Sequence, residues 1–319
     1  MKNKLFYIIF SLCIVTGFSS CSDDEDPVLK NDLLKKTYDP LIAGTTVEFA
    51  YALGASDGGK LRTAEITASI PGALGTGISK KSRYTDTGGN EIAVVIATDS
   101  TTNGAVSRVT LVDTIAATVR YFYVIPEDAK GKQLSFTFSG TSTTGTVSCA
   151  SDVYTVSNMD MKTGQEMDLQ KCYFSVENMQ AYTKAEVETQ GLASKVDLVF
   201  VDKATMGSGW SFGRAFVAPS NDQNYLESDE IPVGANNKTL IERRYWPDGQ
   251  LKTGNIRTVF VDDIDLRQAA FDGTITYAYG FGNDQGALIK TADGKYAAYI
   301  YINNYSSGTL TFGIKRLTL

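Results

Sequence analysis

The stretch TVEFAYAL (46–53) sets Val47, Phe49, Tyr51 and Leu53 on one side and smaller or polar residues on the other. A period of two is the signature of a strand with one face on a core. AEITASI (64–70) repeats it through Ala64, Ile66, Ala68 and Ile70. EIAVVIA (91–97), AVSRVTLV (105–112), VRYFYVI (119–125), QLSFTFS (133–139) and DVYTVS (152–157) continue the series. Between them lie GASDGG, TDTGGN, STTNG, EDAKG and STTGT, whose Gly, Asp and Asn suit tight turns. Seven short runs separated by turn chemistry predict an antiparallel β-sandwich over 41–158.

VSNMDMKTGQE (156–166) is polar and lacks a period, so the domain boundary is placed there. A second strand-rich region, 166–319, follows with CYFSV (172–176), KVDLVFV (195–201), GRAFVAP (213–219), IRTVFVDD (256–263), TITYAYGFG (274–282), YAAYIYIN (296–303) and LTFGIKRL (310–317). Leu310, Phe312 and Ile314 share a face, which predicts a closing strand. Residues 179–190 are the best short helix, and 264–270 offer one more turn. The expected fold class is all-β: two sandwich-type domains with one or two short helices. The N-terminal domain resembles an immunoglobulin-like sandwich without the antibody cysteine pair.

Residues 1–20 have a different character. Lys2 and Lys4 precede an apolar run from Leu5 to Val15, of signal-peptide length and too short to span a bilayer. Small residues then lead to Cys21, and Phe18-Ser19-Ser20-Cys21 resembles a bacterial lipobox. The resemblance implies cleavage before Cys21 and a thiol carrying diacylglycerol. The acidic run Asp23, Asp24, Glu25, Asp26 reads as a solvated tether, with 21–40 as lipidated cysteine and leash. It also resembles the surface-export signal of Bacteroidetes lipoproteins, which implies an outer-membrane anchor facing the exterior. Loss of Lys2 and Lys4 takes the net charge from −6 to −8. That acidity argues against nucleic-acid partners and against electrostatic docking on anionic lipid.

The chain has no histidine. His-based zinc sites and Ser-His-Asp or Cys-His catalysis are excluded together. GWSFG (209–213) matches a nucleophile elbow at Ser211, but the elbow needs a His base and a following helix, and a strand is expected after it. GFGNDQG (280–286) misses the dinucleotide pattern, with Gln285 where glycine is required. Asp262, Asp263 and Asp265 in VDDIDL are candidate calcium ligands, weighed against a helix N-terminus or strand-end turn. Trp210, Tyr245 and Trp246 sit near glycines or the turn signal PDG and are candidate stacking residues for a sugar, weighed against ordinary burial. Cys149 and Cys172 are either a disulfide pair across the domain junction or two separate thiols; spacing does not decide.

RYFYVIPEDAKGKQLSFTFSG (120–140), SKVDLVFV (194–201) and AFVAPSND (215–222) carry a wider resemblance. The mature chain resembles a two-domain family of Bacteroidetes outer-membrane surface lipoproteins, a family with no established catalytic residues. The resemblance implies a cell-surface role. The function expected is binding of a polysaccharide or glycoprotein, without enzymatic activity. The competing readings are an adhesin or fimbrial subunit pairing through a sheet edge, and a hydrolase working with carboxylates alone.

Overall fold

The computed structural model describes residues 29–319 except 57, 204–212, 253–258 and 272. The lipobox, Cys21, Trp210 and Ser211 lie outside the described residues. The N-terminal domain runs through strands β1 (Leu29–Lys35), β2 (Thr46–Ala55), β3 (Leu61–Ala68), β4 (Gly77–Ile78), β5 (Lys81–Thr85), β6 (Glu91–Val95), β7 (Ala97–Asn103), β8 (Val106–Leu111), β9 (Ala116–Val124), β10 (Gln133–Leu134), β11 (Phe136–Ser142), β12 (Thr146–Ala150) and β13 (Tyr154–Thr155). One sheet has the order β1-β2-β9-β4 and the facing sheet β12-β11-β3-β8-β7. The alternation seen in the sequence is what builds the core between them. Phe49 and Tyr51 of β2 and Tyr121 and Tyr123 of β9 are fully buried against Phe136 and Phe138 of β11. The Phe49 ring meets Phe136 edge-on at 4.8 Å, across the two sheets.

Two boundaries differ from the expectation. The leash does not reach residue 40, because β1 pairs with β2 along its whole length, from Leu29 opposite Ala55 to Lys35 opposite Phe49. Leu29 is buried, while the charged residues between leave β1 looking like a tether in sequence. Residues 160–167 are not a linker either. They form β14 (Asp160–Met167), an edge strand on the C-terminal domain that breaks register between Lys162 and Gln165. An edge strand with one solvated face carries no long apolar period, so backbone pairing, not side-chain pattern, makes it a strand.

The C-terminal domain continues with β15 (Tyr173–Ser175), β16 (Gln180–Tyr182), helix α1 (Lys184–Thr189), β17 (Leu198–Lys203), β18 (Gly213–Val217), β19 (Leu240–Arg244), helix α2 (Asp263–Gln268), β20 (Tyr277–Tyr279), β21 (Gln285–Lys290), β22 (Tyr296–Ser306) and β23 (Thr309–Thr318). Its sheets are ordered β14-β23-β22-β21-β19 and β16-β15-β17-β18-β20. Phe174, Phe200, Phe216, Phe312 and Ile314 fill the space between. The protein is thus all-β, with two short α-helices among the described residues. The expected helix over 179–190 shrinks to α1, because Thr183 and Glu186 form a capping box that starts it late. Of the strand expected over 256–263, residues 256–258 lie outside the described residues, 259–262 form no strand, and α2 begins at Asp263.

The outer face of the β23–β22–β21 sheet is covered by α2 and by two segments, residues 248–252 and 259–262, together called the strap. Leu251, Val261 and Leu266 pack there on Tyr299, Tyr301 and Leu317. Ile42 of the N-terminal domain, fully buried, enters the same cluster, so the two domains share this core. The Gln250 side chain donates to the Pro40 carbonyl at 2.9 Å. Asp160 ion-pairs with Lys130 across the junction and with Arg316.

Candidate functional site

On one flank of the C-terminal sandwich the two sheets meet edge to edge. Ile241 of β19 bridges Thr276 in parallel, and its N–H donates to the Ile275 carbonyl at 2.9 Å. Beside this seam lies an open groove of about 730 Å³, lined by Glu242, Arg243, Arg244, Phe271, Tyr277 and Tyr279. The alternation of β20 explains the tyrosines: Ala278 points into the core, so Tyr277 and Tyr279 share the outer face. Their rings are nearly parallel, with centroids 6.1 Å apart and 11° between planes. Tyr225 stands edge-on to Tyr277 at 4.4 Å, and burial raises the Tyr225 phenol above its usual range.

Arginines from β19 give the groove its polar side. Arg243 reaches across and donates to the carbonyls of Tyr279 at 3.0 Å and Gly280 at 3.1 Å. Its guanidinium lies 5.2 Å over the Tyr245 ring. Gly280 has φ of +72°, a conformation that favours glycine, and a Cβ there would come within 2.9 Å of the Arg243 guanidinium and push it aside. Arg244 pairs with Glu242, whose carboxylate is buried. Flat aromatic faces beside guanidinium donors suit a ligand with both apolar ring faces and hydroxyl or carboxylate groups. Glu242 is the one carboxylate among the described lining residues, and a two-carboxylate hydrolytic mechanism needs a pair.

A second concavity is far smaller. Asp197, Glu177 and Asp293 border about 80 Å³, room for two or three waters. Asp197 is 5% exposed and accepts from the Val176 N–H at 2.8 Å. Burial, reinforced by the negative Asp293 and Glu177, pushes its carboxyl up to about 7. Asp293 is held low by the Thr291 hydroxyl and the Lys295 N–H.

The residues singled out from the sequence meet different fates. Tyr245 is exposed and stacks under Arg243 at the rim of the groove. Trp246 is half-buried. Its ring packs on Tyr299 at 5.5 Å, and its backbone is clamped by the Tyr299 hydroxyl, which accepts from its N–H and donates to its carbonyl. Asp262, Asp263 and Asp265 do not converge. Asp262 caps α2 by accepting from the N–H groups of Ile264 and Asp265, and Asp265 accepts from the Asp262 N–H at 2.9 Å. Asp263 turns the other way and accepts from the Ser157 hydroxyl and the Asn158 N–H of the interdomain segment. Among the described residues no cluster of acids, cysteines or histidines is arranged to hold a metal ion. Cys149 and Cys172 are separate free thiols, one on β12 and one buried in the C-terminal core. The groove residues Tyr277, Tyr279, Arg243 and Phe271 escaped the sequence reading. TYAYG carried the one available signal, two tyrosines on the same face of a short strand.

Two families match the chain: a domain of unknown function, DUF4466, over residues 26–156, and a domain of unknown function, DUF8576, over residues 157–319. None of the curated proteins matches it. Among solved structures, a DUF4466 family protein from Parabacteroides merdae ATCC 43184 is 34% identical with a TM-score of 0.84, covering 92% of this chain and 99% of its own. A family 123 glycoside hydrolase from Clostridium perfringens is 10% identical over 41% of this chain and 27% of its own, with a TM-score of 0.26. The reeler domain of human F-spondin is 12% identical over 38% of this chain and 89% of its own, with a TM-score of 0.20. Neither of these last two is similar enough to carry an argument. With a third of residues shared over nearly the whole of both chains, the chain belongs to the DUF4466 family, its C-terminal half being the DUF8576 domain.

Proposed function

We propose that the protein is a lipid-anchored cell-surface binding protein whose C-terminal domain captures a glycan or glycoprotein in the Tyr277–Tyr279 groove. The observation that carries the reading is the parallel tyrosine pair, with Tyr279 exposed, beside Arg243. Sugar rings present apolar C–H faces that stack on aromatic rings, while their hydroxyls take guanidinium donors. The N-terminal sandwich acts as a spacer. The anchor rests on Phe18-Ser19-Ser20-Cys21 and the acids behind it. Cys21→Ser should move the protein from the membrane to the soluble fraction; membrane retention of that variant would remove the anchor from the proposal.

The binding test is a glycan array followed by calorimetry on the glycan that scores. Tyr279→Ala should weaken binding by about tenfold or more, as truncation of a central aromatic contact does, with the thermal midpoint unchanged. No binding across the array, or binding indifferent to Tyr279→Ala, would refute the groove as the site.

A further inference from the structure

The hairpin of β5 and β6 belongs to neither N-terminal sheet. Its register sets Lys81 against Val95, Arg83 against Ala93 and Thr85 against Glu91. The flanking bonds, Asp86 N–H to the Asn90 carbonyl and Ile96 N–H to the Lys80 carbonyl, fix which residues face β5. Pairs alternate in an antiparallel ladder, so Ile92 and Val94 bond to β5. The backbone groups of Glu91, Ala93 and Val95 point outward, and no strand among the described residues pairs with them. All five residues of β6 are exposed, including Ile92 at 37%, Val94 at 42% and Val95 at 57%, with Tyr84 at 55% on the strand beside them. An open edge bearing apolar, β-branched side chains is a template for one more strand, and natural sheets normally block such edges with charge, proline or a bulge.

We propose that β6 pairs antiparallel with β6 of a second copy of this chain, about a twofold axis at Ala93. The sequence of the edge selects this partner. With Ala93 opposite its own mate, Ile92 faces the partner's Val94 and Glu91 faces the partner's Val95. One face of the resulting four-stranded sheet then gathers Tyr84, Ile92 and Val94 from both copies into a single apolar cluster. On the other face Glu91, already paired with Arg83, lies two strand spacings, about 10 Å, from the partner's Lys81, so no like charges are brought together. A slip of two residues leaves either Glu91 or Val95 without a mate. The matching is isologous, so a second copy satisfies it by symmetry alone.

The test is sedimentation equilibrium of the purified protein over a concentration series. A monomer–dimer equilibrium is expected. Ala93→Pro removes an outward N–H without touching the bonds to β5, a change that edge strands tolerate. Ile92→Lys leaves the backbone intact and puts charge into the apolar cluster. Each variant should weaken the dimer by about tenfold or more, with an unchanged thermal midpoint. A monomer at every concentration, or a dimer that persists in either variant, overturns the proposal.

Discussion

Asp248→Ala should destabilise the C-terminal domain by about 3–5 kcal/mol, the cost of breaking a buried ion pair from one side. Asp248 and Lys315 are both fully buried under the strap, 2.7 Å apart. Lys315 lies on β23, on the same face as Gly313 and Leu317, turned away from the main core. Its ammonium also donates to the Val261 carbonyl at 2.8 Å. Burial lowers the Lys315 amine, and Asp248 opposes that shift. The carboxylate has wider duties, accepting from the N–H groups of Gln250, Leu251 and Val261 at 2.7 to 2.9 Å. It therefore ties both segments of the strap to the sheet. Removing it strands a buried cation and three backbone donors together. Lys315→Met should cost less, because those three donors still satisfy the remaining carboxylate. Urea unfolding monitored on the C-terminal domain measures both. Equal losses for the two variants would show that the strap does not depend on the carboxylate.

Acidification should stabilise the protein between about pH 7 and pH 4, against the usual carboxylate trend. Asp197 is the cause. Its folded value of about 7 exceeds the ordinary value of 3.8, so across that interval the folded state holds a proton that the unfolded state releases. Stability then falls as pH rises from about 4 to about 7 and is level above, by at most about 4 kcal/mol from a gap of about three units. Asp160 and Asp293 act in a different window. Burial would raise Asp160, but hydrogen bonds from Lys130 and Arg316 hold it low, and Asp293 is held low by Thr291 and Lys295. Their contributions disappear only below about pH 4. Asp197→Asn keeps an acceptor for the Val176 N–H and removes the charge. It should flatten the profile and raise stability at pH 8 by about 2–4 kcal/mol, since the buried charge is absent. Denaturant unfolding at several pH values gives the comparison, and parallel profiles for the two proteins would exclude Asp197 as the source.

Strands buried on one face were legible in the sequence. Val47, Phe49, Tyr51 and Leu53 alternate because the core lies on one side of β2, and the same logic located β3, β8, β9, β11, β22 and β23. Strands held mainly by their neighbours' backbones were not legible. Lys30, Asn31 and Asp32 make β1 resemble a tether, although it pairs with β2 throughout. Asp262 shows the same limit for the site: three acids within four residues suggest a ligand set, yet Asp262 and Asp265 cap the start of α2 and Asp263 accepts from Ser157 and Asn158.

The amino-acid order alone determined the all-β class, the two-domain division and the absence of histidine chemistry, because these follow from local period, turn residues and composition. Only the tertiary structure decided that β19 and β20 meet, that Trp246 faces Tyr299 while Tyr279 faces solvent, and that Asp248 lies beside Lys315. Those pairings join residues far apart in the chain. No local pattern encodes them, since each depends on which sheet edges and faces the folded backbone brings together.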